Sequence, residues 1–198
     1  PDASAASYFF AAAAITAGDV TVAGRGPSSL QGDVAFVDIL ERMGCQVDRN
    51  VKRHDPPQQA SIRIHRTGDL TGVDVDMNAV SDTVQTLAAV ALFAEGPTTI
   101  RNVEHIRHKE TDRIGNLAIE LRKLGAAVDV LSDGLRITPA ALHGAEIETY
   151  DDHRMAMSLA LPGLRVPGVR VLDPGCTSKT YPGFFKDLAS ISTEPRPQ

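Results

Sequence analysis

The sequence contains no tryptophan and only three tyrosines, which leaves little for the base stacking that single-stranded nucleic-acid binders rely on. Its two cysteines, Cys45 and Cys176, form neither a metal-ligand spacing nor a disulfide framework. They read as reduced, partly buried thiols of a cytoplasmic-type protein. No stretch approaches the ~20 apolar residues that cross a bilayer. YFFAAAAITAG, residues 8–18, is too short and ends in a turn signal, and it follows PDASAAS with no basic leader of the kind that marks a signal peptide. GRGPSS at residues 24–29 lacks both the GxGxxG pattern and a Walker lysine, and there is no HExxH. No cofactor and no metal is therefore expected. The formal charge of -5 argues against a large nucleic-acid surface.

What is present is an ordinary globular composition, 42% apolar and 23% charged over 198 residues, and an internal repeat. Asp2 precedes the helix-like ASAASYFFAAAAITAG, which stops at Gly18 and leads into DVTVAG. Asp82 precedes TVQTLAAVALFAEG, which stops at Gly96 and leads into PTTIRNV. Asp152 precedes HRMAMSLALPGLRVPG, and after Gly168 comes VRVLDPG. A second helix recurs as well. QGDVAFVDILERMG and TDRIGNLAIELRKLG both space apolar residues helically and end in a glycine suited to a left-handed cap, Gly44 and Gly125, before strand alternation resumes. YPGFFKDLASI is the third version, with Pro182 where a first helical turn accepts it. SIRIHR and GVDVDMN before Asp82, and GLRITPA and GAEIETY before Asp152, read as extended.

The expectation is an α/β domain of three βαβαββ-type units around a pseudo-threefold axis, with apolar helices inside and sheets outside. The copies fall at about residues 1–60, 61–142 and 143–198. RHDPPQQAS, residues 53–61, reads as a loop, and no linker divides the chain, so residues 1–198 form one domain. The chain starts at Pro1 and its first helix starts almost at once, with no strand before it. It is expected to be a segment of a longer protein.

The repeat gives the charges a location. Asp82 and Asp152 fall at the starts of first helices, with His153 and Arg154 on the first turn of the third. HKETDR puts Lys109, Glu110 and Arg113 at the junction leading into the second helix of copy two, and Lys179 holds the matching junction in copy three. Helix amino ends gathered at one rim offer unpaired N–H groups and a partial positive field, a natural anion site. Each residue also has a plainer reading. Asp2, Asp82 and Asp152 suit helix caps, the HKETDR charges suit a solvated face, and a histidine beside an aspartate suits a satisfied polar position. Taken together, Arg113, Arg154 and Lys179 suit a small multivalent anion, with Asp82, Glu110 and His153 near for proton transfer.

SLQGD (29–33), ALFAEGPTTIRNV (91–103), HKETDR (108–113), ELRKLGA (120–126), YDDHRMAM (150–157) and DPGCTSKTYPGFF (173–185) together resemble the enolpyruvyl transferases of the 5-enolpyruvylshikimate-3-phosphate synthase type. The resemblance covers essentially the whole chain. It implies two globular domains of three repeated units each, of which this sequence is similar to the C-terminal one. The N-terminal tail that completes it and the partner domain are then absent.

The resemblance also implies a reaction. The 5-hydroxyl of shikimate 3-phosphate adds to phosphoenolpyruvate, and the adduct expels phosphate, without metal or cofactor. By the matching motifs Asp82 is the carboxylate at the 5-hydroxyl and candidate general base. Lys109 contacts the same hydroxyl. Glu110 lies by the phosphoenolpyruvate methylene as candidate acid. Arg113 and Arg154 clamp its carboxylate and phosphate, Lys179 faces the same anion, and His153 supports it. His105 stands where the family often has Asn against shikimate hydroxyls, and Ser81 where many members have Pro. Pro162 is placed to kink the third inner helix. The expected partners are the two substrates and the missing domain, with no nucleic acid and no membrane. The implied location is cytoplasmic, or plastid for a plant protein. The 198 residues alone are expected to be essentially inactive. The alternative is a non-catalytic anion-binding or protein-docking domain that keeps the same fold.

Overall fold

Alanine-rich segments make the interior. In α1 (Ala3–Thr16) the residues from Phe10 to Ile15 are buried on every side of the helix, as expected of a helix with no polar face. This is a computed structural model that describes residues 3–23, 30–50 and 61–192. Asp2 and the stretch at 24–29 lie outside the described residues, as does the loop read at 53–61 up to residue 60.

Along the chain α1 is followed by β1 (Asp19–Ala23), α2 (Leu30–Arg42), β2 (Gln46–Asn50) and β3 (Ser61–His65). Next come β4 (Leu70–Thr71), β5 (Asp74–Asp76), a 3-10 turn at Asn78–Thr83 and α3 (Val84–Ala91). After β6 (Ala94–Glu95) and β7 (Thr98–Arg101), a 3-10 turn at Glu104–His108 leads to α4 (Arg113–Lys123), β8 (Ala127–Val130) and β9 (Leu135–Thr138). β10 (Glu146–Ile147), α5 (His153–Ala160), β11 (Arg170–Val171), a 3-10 turn at Pro174–Lys179 and α6 (Phe184–Ile191) complete it.

The sheets lie outside. One has the order β1-β3-β2, both pairings antiparallel. A second has the order β5-β7-β9-β8, with β5 parallel to β7 and the remaining pairs antiparallel, and β4 and β6 form a separate parallel pair. The second therefore repeats the first with a leading parallel strand added. β10 and β11 repeat only the leading parallel pair. SIRIHR was expected to open the second copy. As β3 it lies between β1 and β2 instead, with Ile62 and Ile64 buried and Arg63 outward on Asp19 and Asp48. The alternation alone reads the same in either sheet.

α1, α3 and α5 are the inner helices, as expected. Every residue of α3 is buried. Thr86 at its middle joins the other two: its hydroxyl lies 3.4 Å from Ser7 Oγ on α1 and 3.2 Å from Ser158 Oγ on α5. Pro162 was expected to bend the third helix. The α-geometry stops at Ala160 and tightens into a 3-10 turn, Leu161–Leu164, which packs against α1 and carries Arg165 to the Ile15 carbonyl. The outer helices α2 and α4 end on Gly44 and Gly125 at φ 108° and 106°, a conformation in which a Cβ is strained. Phe184 on α6 is fully buried, edge-on to Tyr8 at 5.4 Å.

Replacing Thr86 by Val keeps the shape but removes the shared hydroxyl, which leaves Ser158 Oγ unpaired in the interior. Stability is expected to fall by about 1–3 kcal/mol, read from the urea midpoint. A change near zero would mean the hydroxyl chain does not hold these helices together.

Candidate functional site

Three helix amino ends meet at one edge of the inner layer. α4 starts with Arg113, and Asp112 caps it by accepting from the Ile114 and Gly115 amides at 3.1 and 3.0 Å. α5 starts with His153, and Asp152 caps it by accepting from the Arg154 and Met155 amides at 2.8 and 3.4 Å. α3 differs. It follows the 3-10 turn holding Asp82, has Thr83 at its cap position, and has no side-chain cap bond. The capping reading therefore holds for Asp152 and not for Asp82.

Asp82 instead belongs to an ion network. Arg154 Nη2 donates to its carboxylate at 2.9 Å, and Arg113 Nη1 lies 3.5 Å from the other oxygen. Arg113 is the centre of the network. Its Nε donates to Asp152 Oδ2 at 2.7 Å, and its Nη2 donates to Glu110 at 2.7 Å and to Asp152 Oδ1 at 3.3 Å. Its side chain is 1% exposed and that of Asp152 0%, whereas Asp82 and Glu110 keep 44% and 31%. One buried guanidinium thus holds three carboxylates, two of which reach solvent. Asp152 caps a helix and grips Arg113 at once, through both of its oxygens.

Next to Glu110 opens a pocket of about 430 Å³ lined by Glu110, Asp151, Asp173, Cys176 and Lys179, with Gly175 and Ser178. Lys179 and Glu110 therefore line the same pocket, while Arg113 is bound to Glu110 and Arg154 to Asp82. Lys109 and Lys179 make no ion pair or hydrogen bond among the described residues and stand exposed beside this network. His105 is exposed on the Glu104–His108 turn, also without such a partner among the described residues. His153 is buried, and its Nδ1 has no hydrogen-bond partner among the described residues. Burial first, and then the charge of Arg154, hold its pKa below the ordinary 6.5.

In DPGCTSK only Lys179 stands out by residue type, and not Asp173, Cys176 or Ser178, and in DDHR only Asp152, His153 and Arg154 do, and not Asp151. The signal for Asp151 and Asp173 is conformational: both are left-handed, at φ 54° and 46°, with Tyr150 also at 54°. Non-glycine residues rarely adopt such backbone, and it collects at functional sites. No spacing rule reports it. Burial pushes the Cys176 thiol pKa up, so the pocket does not activate it.

The network makes two predictions. Truncating Asp152 to Ala takes from Arg113 its fully buried partner, leaving Nε unpaired among the described residues, and removes a cap, and is expected to cost about 3–5 kcal/mol. Asp82→Asn, at a half-exposed partner, is expected to cost about 1 kcal/mol or less. Equal losses in urea denaturation would show that burial does not rank the two. The depressed His153 pKa means the unfolded chain binds that proton first. Stability is therefore expected to fall as pH drops from about 6.5 through the folded value. His153→Gln should flatten that part of the pH–stability curve, and an unaltered slope would contradict the assignment.

Residues 1–188 match the EPSP synthase (3-phosphoshikimate 1-carboxyvinyltransferase) family. A 3-phosphoshikimate 1-carboxyvinyltransferase of Nostoc punctiforme is 53% identical over 188 residues, which are 93% of this chain and 42% of the relative. The chloroplastic protein of the same name from Brassica napus is 52% identical over 195 residues, 96% of this chain and 37% of its own length. A solved EPSP synthase from Acinetobacter baumannii has a TM-score of 0.83 and 27% identity, covering 96% of this chain and 45% of that one. The chain spans about two fifths of the length of the curated relatives it matches. With the fold, the motifs and residues 1–188 in agreement, the chain belongs to the EPSP synthase family.

Proposed function

We propose that this chain is one wall of an active site that transfers the enolpyruvyl group of phosphoenolpyruvate to the 5-hydroxyl of shikimate 3-phosphate. A second domain of the same protein supplies the opposite wall. The carrying observation is the gathering of Asp82, Glu110, Arg113 and Arg154 into one network at the helix amino ends, with Lys179 lining the same pocket as Glu110. A docking surface has no need of three carboxylates set around one buried guanidinium.

The bonds follow from the substrates. The hydroxyl oxygen adds to the central carbon of phosphoenolpyruvate while the methylene carbon gains a proton. The tetrahedral adduct then loses a methyl proton and expels phosphate, restoring the double bond. Asp82 takes the hydroxyl proton, with Lys109 beside the same oxygen. Glu110 gives the methylene its proton and takes one back as phosphate leaves. Arg113, Arg154 and Lys179 hold the phosphoenolpyruvate anion, and His105 faces the shikimate hydroxyls. His153, with its pKa held down, stays neutral near pH 7 and hydrogen-bonds without adding charge.

Both arginines are engaged by carboxylates, so the incoming anion must exchange with these partners. Glu110 and Asp82 are the partly exposed ones and can swing away. Asp152 is buried and stays. An anion in place of Glu110 frees that carboxyl group for the proton transfers. Closing the second domain removes water and strengthens these contacts. A cytoplasmic or plastid setting fits such a reaction, and no described helix is long and apolar enough to cross a membrane.

Asp82→Ala in the full-length protein tests the reading. Turnover of the two substrates is expected to fall roughly 10²- to 10⁴-fold, with the unfolding transition little changed. Retained turnover would remove Asp82 from the chemistry. A full-length protein that neither turns over the two substrates nor binds them would favour a non-catalytic docking domain. Residues 1–198 alone are expected to show negligible turnover, because half of the cleft is absent.

A further inference from the structure

α4 carries a second buried carboxylate that the mechanism does not use. Glu120 lies two helical turns beyond Arg113 on the same face, and its side chain is 0% exposed. Its Oε1 accepts from the Tyr150 hydroxyl at 2.6 Å, and its Oε2 accepts from the Glu148 amide at 3.1 Å and lies 2.9 Å from Lys123 Nζ. Arg113 and Glu120 therefore grip the same stretch of chain from one helix, Arg113 at Asp152 and Glu120 at Glu148 and Tyr150.

Between the two grips lies the strained part. Tyr150 and Asp151 are consecutive left-handed residues, and the Asp152 amide closes the turn on the Thr149 carbonyl at 2.9 Å. A pair of non-glycine residues does not hold that backbone unaided. Asp151 is on the pocket wall, while Asp152, His153 and Arg154 follow directly. The turn thus decides where the α5 end of the site stands.

We infer that Glu120 and Tyr150 are positioning residues for the anion end of the site. Their hydrogen bond fixes the left-handed turn that presents Asp151 to the pocket and Asp152 to Arg113. This rests on the proposed enolpyruvyl transfer for its kinetic consequence, though not for its geometry. Burial keeps the Tyr150 hydroxyl protonated well beyond the usual tyrosine range, so it remains a donor at every working pH. Neither residue touches the pocket, and both act through residues that do.

Tyr150→Phe removes one oxygen and is the least disruptive variant. Glu120→Gln keeps the volume but leaves one carbonyl oxygen where two carboxylate oxygens meet Tyr150, the Glu148 amide and Lys123. In the full-length protein each is expected to lower kcat/KM for phosphoenolpyruvate roughly tenfold to a hundredfold and to raise its KM. The KM for shikimate 3-phosphate should stay unchanged. A merely structural role lowers the active fraction, so kcat falls while both KM values hold, and that result would overturn the inference. So would unchanged kinetics in both variants. If the unsubstituted full-length protein does not turn over the two substrates, the transferase reading fails by itself. The positioning role is then decided by amide exchange over residues 149–154: faster in Tyr150→Phe than in the parent upholds it, and equal rates refute it.

Discussion

The site depends on one buried ion pair, Arg113 with Asp152. Neither side chain touches water to any extent, and they meet through the guanidinium Nε at 2.7 Å. Burying a guanidinium alone is prohibitive, and burying it with a carboxylate is tolerable only when the geometry satisfies both. Here it does, because Asp152 also receives the first amides of α5. The pair joins the amino ends of α4 and α5, and Glu110 and Asp82 are then attached to the same guanidinium from the solvent side.

In the proposed function, that arrangement lets a chain with formal charge -5 receive an anion. Asp82, Glu110 and Asp152 surround Arg113 and Arg154, so the local balance leans negative when nothing is bound. Lys109 and Lys179 are exposed and unengaged among the described residues, and in the proposed function they give an approaching anion its first attraction. The deeper charges become available only as carboxylates leave them. Exchanging a fixed set of partners in a closed site costs less reorganisation than recruiting charges from water.

What the sequence showed and what it hid divide along physical lines. Periodicity and caps are local, so the inner helices, Gly44, Gly125 and the Asp152 cap were readable, whereas Asp112, read with the solvated charges of HKETDR, caps α4. The Asp152 carboxylate was seen as a cap, but its second partner, Arg113, lies on a different helix and leaves no trace in spacing. The same is true of Asp82, whose network role was masked by a plausible cap. β3 shows the limit for strands: its alternation says which residues face inward and not which sheet receives it. Glu120 sits within a patterned helix, where a buried glutamate reads as an ordinary solvated residue. Only the fold brings Tyr150 to it. The family motifs compensated for much of this, since HKETDR and YDDHRMAM picked out the chain segments that the fold then brought together.

The most direct measurement is a crystal structure of the full-length protein with phosphoenolpyruvate bound. The account predicts that Arg113 keeps Asp152 while Glu110 has left Nη2, with the anion in its place and Lys179 on the far side. A bound anion distant from Arg113, with the Glu110–Arg113 pair intact, would contradict it.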